Sequence, residues 1–250
     1  MSKVTLSIIT VTYNAEKYIQ PTIESVVNQS FKGFEYLIID GASNDSTLKI
    51  IDRYKSKIDQ VVSEKDDGVY HAMNKGLELA RGKYVLFLNA GDELSGETIL
   101  ENIFNIDTDA DIIYGETNIL NQDRKVIGTR SELTSRKLPE QLVKKDFLKG
   151  QIVSHQSFIA KRDLCPPYNT HYKCSADIDW MLQVISKSGR VKNVNQSISN
   201  YLQGGISDRQ LGRCWKERFF ILLKYFRFVD VMISHIRFFF RFFQWGRYRS

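Results

Sequence analysis

The sequence has few cysteines and no paired-cysteine motif. Its three cysteines, Cys165, Cys174 and Cys214, form no CxxC pair, and an odd number cannot close into a complete set of disulfides. Reduced thiols are typical of cytoplasmic proteins. We therefore expect a cytoplasmic chain that does without a disulfide framework.

Three further features are absent. Neither GxGxxG nor GxxxxGK[ST] follows a predicted strand, which disfavours dinucleotide and P-loop binding. The N-terminal stretch has one basic residue before a short apolar run and no small-residue cleavage site, so it is interpreted as a strand rather than a signal peptide. The C-terminal apolar run is broken by Asp230, Arg237 and Arg241, whereas a membrane-spanning helix needs ~20 mostly apolar residues.

The composition indicates one globular domain with an appendage. The chain has 250 residues, of which 42% are apolar and 12% aromatic, enough to bury a large core. The net charge of +6 is unevenly placed, because residues 206–250 hold ten Lys or Arg against three Asp or Glu. We predict a domain over residues 1–205 and a basic, aromatic tail over residues 206–250.

Four apolar stretches alternate with segments of helical periodicity, which predicts an α/β fold with a parallel sheet. The predicted strands are 5–12, 34–39, 60–63 and 84–88. Connections of this length imply right-handed βαβ crossovers. Polar residues at the strand ends then converge on one edge of the sheet, where open α/β sheets bind ligands.

The second half of the sequence has a less regular pattern. It predicts helices at 98–105, 138–148 and 177–187, a strand pair at 111–119 and 125–130, and further strands at 154–159 and 191–201.

The strand ends carry residues that suit a nucleotide-linked sugar. Tyr13 offers an aromatic face and Asp40 a hydrogen-bond acceptor for a nucleotide base. Asp66 or Asp67 follows the third strand. Asp92, helped by Asn89, offers oxygen ligands for Mg²⁺, which typically binds one or two carboxylates together with waters and substrate phosphates. A turn at residues 89–92 that merely caps the next helix is the alternative.

A transfer reaction also needs a base in the second half of the chain. Asp177 and Asp179 are the candidates, both at the start of a predicted helix. A carboxylate at this place is also favoured by the helix dipole, so capping explains either residue equally well.

Eight short motifs occur in order along the chain. They are VTYN at 11–14, DGASNDST at 40–47, AMNKG at 72–76, ARG at 80–82, FLNAGDEL at 87–94, HQS at 155–157, ADIDW at 176–180 and GGIS at 204–207. Together they resemble the family 2 glycosyltransferases, in particular the branch that builds bacterial surface polysaccharides. The resemblance covers about residues 3–207.

The resemblance implies a GT-A fold, a Rossmann-like mixed and mainly parallel sheet flanked by helices, here with a C-terminal helical extension. It implies inverting transfer from a nucleoside-diphosphate sugar, with UDP as the expected nucleotide, to a glycan or lipid-linked glycan acceptor. The usual cofactor is Mg²⁺ or Mn²⁺. Two departures are present: Asn89 and Gly91 stand where a second metal-side acid is usual, and Ala176 stands where many relatives have Glu.

Carried over by position, the resemblance assigns the site residues as follows. Tyr13 and Asp40 would face the base of the nucleotide, and Asp67 would line the donor pocket. Asp92 would be the metal-side acid, and Asp177 the catalytic base, with Asp179 as its rival. His155 and Gln156 would lie near the diphosphate or the acceptor, and the further substrate-binding residues are Thr12, Asn14, Asn74 and Asn89.

The tail is dense in Phe and Arg, which predicts interfacial helices with an aromatic face and basic flanks. Such helices would hold the protein at the inner face of the membrane, close to a lipid-linked acceptor. Packing on the catalytic domain and a homodimer contact are the alternatives, and nucleic acid is not expected as a partner. For the whole chain, the competing functions are a sugar-phosphate nucleotidyltransferase and a non-catalytic nucleotide-sugar or polysaccharide-binding protein.

Overall fold

A mixed β-sheet lies at the centre of the protein. The computed structural model describes residues 4–105, 109–134, 137–204 and 210–246, with side chains described up to residue 238. The strands are β1 (Leu6–Thr12), β2 (Phe34–Asp40), β3 (Gln60–Ser63), β4 (Tyr84–Phe87), β5 (Glu93–Leu94), β6 (Ile112–Leu120), β7 (Val126–Thr129), β8 (Phe158–Lys161) and β9 (Val191–Leu202). Within the described ranges, they pair in the order β3-β2-β1-β4-β8-β6-β9-β5, and β7 pairs with β6.

Helices flank this sheet on both faces. They are α1 (Ile19–Val27), α2 (Thr47–Asp52), α3 (Val69–Leu79), α4 (Ile99–Phe104), α5 (Arg130–Leu133), α6 (Ala176–Lys187), α7 (Leu211–Leu223) and α8 (Phe228–Gly246). Alternate residues of β1 face opposite layers: Ile9 packs in the cluster that contains α3 and α6, and Ile8 in the cluster that contains α1, α2 and α4.

The parallel half of the sheet consists of β1 to β4. All seven residues of β1 are buried, as expected for a parallel strand covered on both faces. The register aligns Thr12 with Asp40 and Asp40 with Ser63, so the carboxyl ends of three neighbouring strands lie level. The four strands predicted in this half are confirmed.

Two motif glycines allow close packing against β1. A Cβ atom at Gly76, in α3, would collide with the side chain of Ile9, and one at Gly82 would lie 2.5 Å from the backbone nitrogen of Ser7. Only glycine lets α3 and the turn after it approach the strand this closely.

The second half of the sheet is mixed. Strand β8 runs antiparallel to both β4 and β6, and β9 runs parallel to β6. The short β5 pairs antiparallel with β9, so the segment after β4 returns across the end of the sheet.

Two predicted elements are wrong. The helix predicted at 138–148 is irregular chain followed by a 3-10 helix, Lys144–Lys149. The Pro139 carbonyl accepts the Tyr114 hydroxyl at 2.6 Å and the Asn193 side-chain N–H at 3.0 Å, so it is engaged by distant residues and not by an intrahelical bond. The strand predicted at 154–159 begins instead as a 3-10 helix, His155–Ser157, and becomes β8 at Phe158.

The C-terminal helices pack into the same core as α6. Ile221, Leu222 and Val231 are fully buried there. The boundary predicted between residues 205 and 206 and most of the GGIS motif lie outside the described residues, so the division into two units stays a prediction. None of the described helices combines the length and the apolar character that a membrane crossing requires.

Candidate active site

The turn after β2 is organised by Asp40. Its buried carboxylate accepts the backbone N–H of Ser43 at 2.9 Å and the hydroxyls of Ser43 and Ser63, the latter at 2.6 Å. Asp40 therefore fixes the loop that follows the second strand and joins it to the third. Its predicted contact with a nucleotide base stays a prediction.

The loops after β1 and β2 are joined to each other. The Asn14 N–H donates to the Ser43 hydroxyl at 2.8 Å, and the Asn14 side-chain oxygen accepts the N–H of Asn44 at 3.0 Å. Asn14 reaches this position with a left-handed backbone, φ 48°. Beside Asn14, Tyr13 is 64% exposed, so its ring is accessible to a ligand. The loop that carries this ring is held in place by the hydrogen bonds of Asn14.

Asp66, rather than Asp67, is the carboxylate that faces inward after β3. Its side chain is 7% exposed and pairs with Lys75, with 2.5 Å between Nζ and Oδ1. Its second oxygen, Oδ2, has no hydrogen-bond partner. Asp67 is exposed and makes no polar contact within the part of the chain that the structure describes. The assignment of Asp67 to the donor pocket stays a prediction, and Asp66 is the better-placed candidate for the same role.

Tyr13 and Asp66 line one recess, with Gly41 between them. A Cβ atom at Gly41 would lie 3.4 Å from Cδ2 of Tyr13 and 3.5 Å from Oδ2 of Asp66. The absence of a side chain at Gly41 thus keeps the recess open between an aromatic face and an unpaired carboxylate oxygen.

Two more oxygens at this edge are buried without a partner, the Thr12 hydroxyl and the Asn89 side-chain oxygen. They belong to the ends of adjacent parallel strands, where the Ala90 N–H donates to the Val11 carbonyl at 3.2 Å. Buried polar atoms are nearly always paired, so unpaired oxygens in this position are what a bound polar ligand would satisfy.

Asp92 lies deeper, 5% exposed, under the residues that precede β8. It accepts the side-chain N–H of Gln156 at 2.6 Å and the backbone N–H of Leu202 at 3.3 Å. Burial raises the pKa of Asp92 to about 7, because the carboxylate loses its hydration. The structure thus brings together two predicted site residues that lie 64 positions apart.

The oxygens of Asp92 and Asn89 fit a hard divalent cation. The described residues contain no group of three or more His, Cys, Asp or Glu side chains arranged to hold a metal. However, a magnesium-type ion needs only one or two protein ligands when phosphates and waters complete its shell. The unpaired oxygen of Asn89 supplies a free donor atom of the preferred kind.

Asp177 lies in the first turn of α6 and is half-buried. Its carboxylate accepts the side-chain N–H of Gln151 at 3.0 Å and the hydroxyl of Tyr70 at 3.4 Å. Burial raises the pKa of Asp177, and these hydrogen bonds only partly offset the effect. A partly accessible carboxylate with a raised pKa is what a general base requires.

Asp179 has a different environment. It is 2% exposed and accepts the Tyr225 hydroxyl at 2.9 Å, with Lys224 Nζ at 3.4 Å from both oxygens. Two residues on from Asp177, it points to another side of the helix. This placement counts against Asp179 as a base and makes it an anchor for the chain after α7.

His155 and Asn74 form the wall of the site. His155 is 4% exposed, stacks on Phe87 with ring centroids 5.3 Å apart, and shares a 2.7 Å hydrogen bond with the Tyr168 hydroxyl. Burial lowers its pKa to about 3, so the imidazole is neutral. The Asn74 side-chain N–H donates to the Tyr168 carbonyl at 3.0 Å, and the Asn74 side-chain oxygen accepts the Tyr168 N–H at 2.7 Å. The Asn74 amide is thus engaged within the fold, and the substrate-binding roles of Asn74 and His155 stay predictions.

Sequence reasoning missed Arg130, Gln151 and Tyr70. Arg130 donates to the Gln151 carbonyl at 2.7 Å and to the Ser154 hydroxyl at 3.0 Å, and Gln151 in turn contacts Asp177. These residues lie in stretches without a motif. Only Tyr70, next to the AMNKG motif on the buried face of α3, had a signal in the sequence.

The mixed sheet, with its polar edge and a carboxylate at the start of α6, has the architecture of the GT-A fold. The family model described as glycosyl transferase family 2 matches residues 7–166. The chain therefore belongs to glycosyltransferase family 2.

Curated relatives match over most of the chain. A Bacillus subtilis protein, TuaG, whose name assigns it provisionally to teichuronic acid biosynthesis as a glycosyltransferase, is 28% identical over 202 residues, 78% of each chain. A PGL/p-HBAD biosynthesis glycosyltransferase of Mycobacterium tuberculosis is 27% identical over 213 residues, 81% of this chain and 78% of the relative.

Solved structures share the fold. TarS of Staphylococcus aureus, residues 1–349 in complex with UDP-GlcNAc, gives a TM-score of 0.69 at 19% identity, over 96% of this chain and 73% of that one. A mannosyltransferase from Pyrobaculum calidifontis in complex with GDP-Man and Mn²⁺ gives 0.64 at 16% identity, over 89% and 65%.

Proposed function

We propose that this chain is an inverting glycosyltransferase that moves a sugar from a UDP-sugar to a hydroxyl of a lipid-linked or oligosaccharide acceptor in cell-surface polysaccharide synthesis. The observation that carries this proposal is the setting of Asp177, a half-buried carboxylate with a raised pKa at the carboxyl edge of the sheet. The names of TuaG and of TarS, a poly(ribitol-phosphate) β-N-acetylglucosaminyltransferase, support the product class.

In this proposal, Asp177 is the base. It accepts the proton of the acceptor hydroxyl while that oxygen forms a bond to the anomeric carbon of the donor. The bond between the anomeric carbon and the phosphate oxygen breaks, and the diphosphate leaves with the bonding electrons. One base on the side opposite the leaving group gives inversion. Gln151 and Tyr70 hold the carboxylate in one orientation through their hydrogen bonds.

The recess around Gly41 is the proposed place of the nucleotide. The exposed ring of Tyr13 offers a stacking surface, and Asp66 Oδ2 and Thr12 Oγ1 offer unpaired acceptors for N–H or O–H groups of a nucleoside. A uridine base and ribose have both kinds of donor. The TarS complexes with UDP and UDP-GlcNAc support this choice of nucleotide.

Asp92 and Asn89 would hold Mg²⁺ or Mn²⁺. A divalent cation supplies positive charge to the diphosphate as negative charge develops on it. The hydrogen bond from Gln156 orients the Asp92 carboxylate for that role. The Mn²⁺ complex of the Pyrobaculum calidifontis mannosyltransferase supports a cation in this fold.

The donor is tested by thermal unfolding with UDP, GDP and ADP, each with and without Mn²⁺, followed by a panel of UDP-sugars assayed for slow release of UDP. We expect UDP to raise the melting temperature more than the other nucleotides, because ligand binding to the folded state stabilises it. A preference for GDP or ADP would contradict the UDP assignment. Release of no nucleoside diphosphate from any sugar nucleotide would favour a binding protein.

We further propose that α7 and α8 hold the enzyme on the inner face of the membrane. Parts of this helix pair pack on the catalytic domain. The same helices also carry large apolar side chains that are between 43% and 63% exposed: Leu211, Phe220, Phe228, Val229, Ile233 and Ile236. Arg213, Lys216 and Arg237 lie on the same helices and suit an anionic leaflet. A contact between two copies of the chain is the alternative.

A further inference from the structure

Arg130 lies near the candidate base and forms no ion pair within the described part of the chain. Its guanidinium has five N–H donors. Two of its nitrogens contact neutral groups, the Gln151 carbonyl and the Ser154 hydroxyl. The Nε atom is shut off from solvent and has no hydrogen-bond partner. None of the described carboxylates forms an ion pair with it.

This arrangement is unfavourable for an arginine that only supports the fold. A desolvated cation is normally paired, because burial of a charge without a partner is unfavourable. Burial lowers the pKa of Arg130, and the opposing influences of Tyr201, Glu116 and Asp177 do not restore it. The carboxylates of Glu116 and Asp177 lie near enough to influence the half-buried guanidinium, but neither forms an ion pair with it, so it can still bind a further anion.

The position of Arg130 says where such an anion would lie. The backbone segment that Arg130 holds, residues 151–154, carries Gln151, which contacts the base Asp177. The same segment continues to Gln156, which contacts the metal-side acid Asp92. Arg130 thus lies against the short stretch that connects the two acids of the proposed reaction.

We propose that Arg130 forms an anion subsite beside the reacting centre, where the guanidinium holds a phosphate group of one of the substrates. The proposal rests on the proposed glycosyltransferase function for the identity of the substrates. Two sources have this chemistry: the diphosphate of the donor, and a phosphate in the acceptor chain or its lipid carrier. The planar guanidinium suits phosphate because it binds two oxygens at once, which an ammonium group does not.

The subsite is tested by thermal unfolding of the full chain in increasing inorganic phosphate, at ionic strength matched with chloride. We expect the wild type to be stabilised by phosphate, and Arg130→Gln to weaken the apparent phosphate affinity by about tenfold, as for the loss of one charged hydrogen-bonding partner. The matched control is Arg190→Gln, which removes the same charge from a 63% exposed side chain paired with Asp109. It should leave phosphate binding unchanged.

A second measurement identifies the source of the phosphate. If Arg130→Gln weakens binding of UDP but not of uridine, the subsite holds the donor diphosphate. If UDP binding is unchanged while the response to inorganic phosphate is lost, the subsite holds an acceptor phosphate. Should Arg130→Gln fail to fold, Arg130→Lys keeps the charge and is expected to lower phosphate affinity by loss of the two-oxygen contact.

Equal phosphate affinity in the wild type and in the folded Arg130 variant overturns the proposal, as does a wild type that phosphate does not stabilise. Because phosphate binding requires no sugar transfer, either negative result leaves the proposed glycosyltransferase function unaffected. A wild type that binds phosphate through Arg130 but turns over no UDP-sugar would count against the proposed function and not against the subsite.

Discussion

Glu217, on α7, accepts the backbone N–H of Ser175 at 3.1 Å, two residues before Asp177. The same carboxylate accepts the N–H groups of Lys173 and Cys174 at 2.9 and 3.0 Å. Three backbone N–H groups at the start of α6 are thus satisfied by a residue 42 to 44 positions further along the chain. The C-terminal helix pair is therefore part of the support of the candidate base as well as a surface element.

Glu217→Ala should reduce both stability and turnover. Removing a carboxylate that accepts three backbone N–H groups is expected to lower the free energy of unfolding by about 2–3 kcal/mol, since hydrogen bonds to charged groups are the stronger ones. Turnover should fall more than the Michaelis constant changes, because the start of α6 loses its support. Urea unfolding and steady-state kinetics measure the two effects.

Arg213→Ala is the control for Glu217. Arg213 is 55% exposed and pairs with Glu217 on the outside of the helix at 3.3 Å. Loss of an exposed pair is expected to cost less than about 1 kcal/mol. If both variants lose the same free energy of unfolding, the backbone contacts of Glu217 do not stabilise the protein beyond its exposed ion pair with Arg213.

His155 should make the fold sensitive to acid. Its pKa is near 3 in the folded protein, so it binds a proton in the unfolded chain between pH 6.5 and 3 and not in the native one. Stability from this residue is present above pH 6.5 and is lost as the pH falls. Between pH 7 and pH 5 the loss is about 2 kcal/mol.

The comparison variant is His155→Asn, which keeps a polar group near the Tyr168 hydroxyl but does not titrate. Urea unfolding at pH 7 and pH 5 should show a smaller loss of stability in the variant than in the wild type. Replacement of the exposed His171 by Asn is the control for a change of histidine alone. An identical pH dependence in the wild type and His155→Asn would contradict the buried, neutral state of the imidazole.

The pH dependence of sugar transfer should follow the ionisation of the Asp177 carboxylate. The base acts when ionised, so kcat/KM is expected to rise with pH through the raised pKa of Asp177 and then level off. Gln151 stabilises the ionised form by its hydrogen bond, so Gln151→Leu should move the acidic limb to higher pH. Tyr70→Phe should act in the same direction. A limb that stays in place in both variants would argue that another group limits the rate.

The exposed apolar side chains of α7 and α8 should bind anionic vesicles. Replacing Phe228 and Ile236, 61% and 50% exposed, by Ser is expected to weaken co-sedimentation with vesicles of anionic lipid about tenfold or more, because burial of one large apolar side chain contributes ~1.5–3 kcal/mol. Val126→Ser, at a 56% exposed apolar position on β7, is the matched control.

Size-exclusion chromatography of the same variants separates the two uses of these side chains. If the double variant binds vesicles as the wild type does and instead changes from dimer to monomer, they form a contact between two copies of the chain, and the membrane proposal fails.

The parallel half of the fold was predictable because its signals are local. A few consecutive residues are enough to predict the buried strand β1 and the periodic helix α3. The polar residues at the strand ends then meet because parallel strands end at the same edge of the sheet. The segment before β8 was not predictable, because its conformation depends on contacts with distant elements, such as the hydrogen bonds that Tyr114 and Asn193 donate to the Pro139 carbonyl. Helix propensity there is overridden by tertiary contacts.

Two predicted site residues, Asp92 and Gln156, lie in contact, and Asp177 contacts Gln151. The roles assigned to these residues stay predictions. The choice between Asp66 and Asp67, and between Asp177 and Asp179, depends on which way a side chain points. Sequence spacing does not give that direction when the deciding partners, such as Tyr225, are far away in the chain.

The most direct test of the account compares Asp177→Asn with Asp179→Asn in transfer from the UDP-sugar that the panel identifies. We expect Asp177→Asn to bind UDP normally and to lose transfer by about a hundredfold or more, as for a missing general base. Asp179→Asn should retain most of the transfer rate and unfold more easily, because Lys224 and Tyr225 lose their anionic partner. An active Asp177→Asn, or a folded but inactive Asp179→Asn, would contradict the assignment of the base.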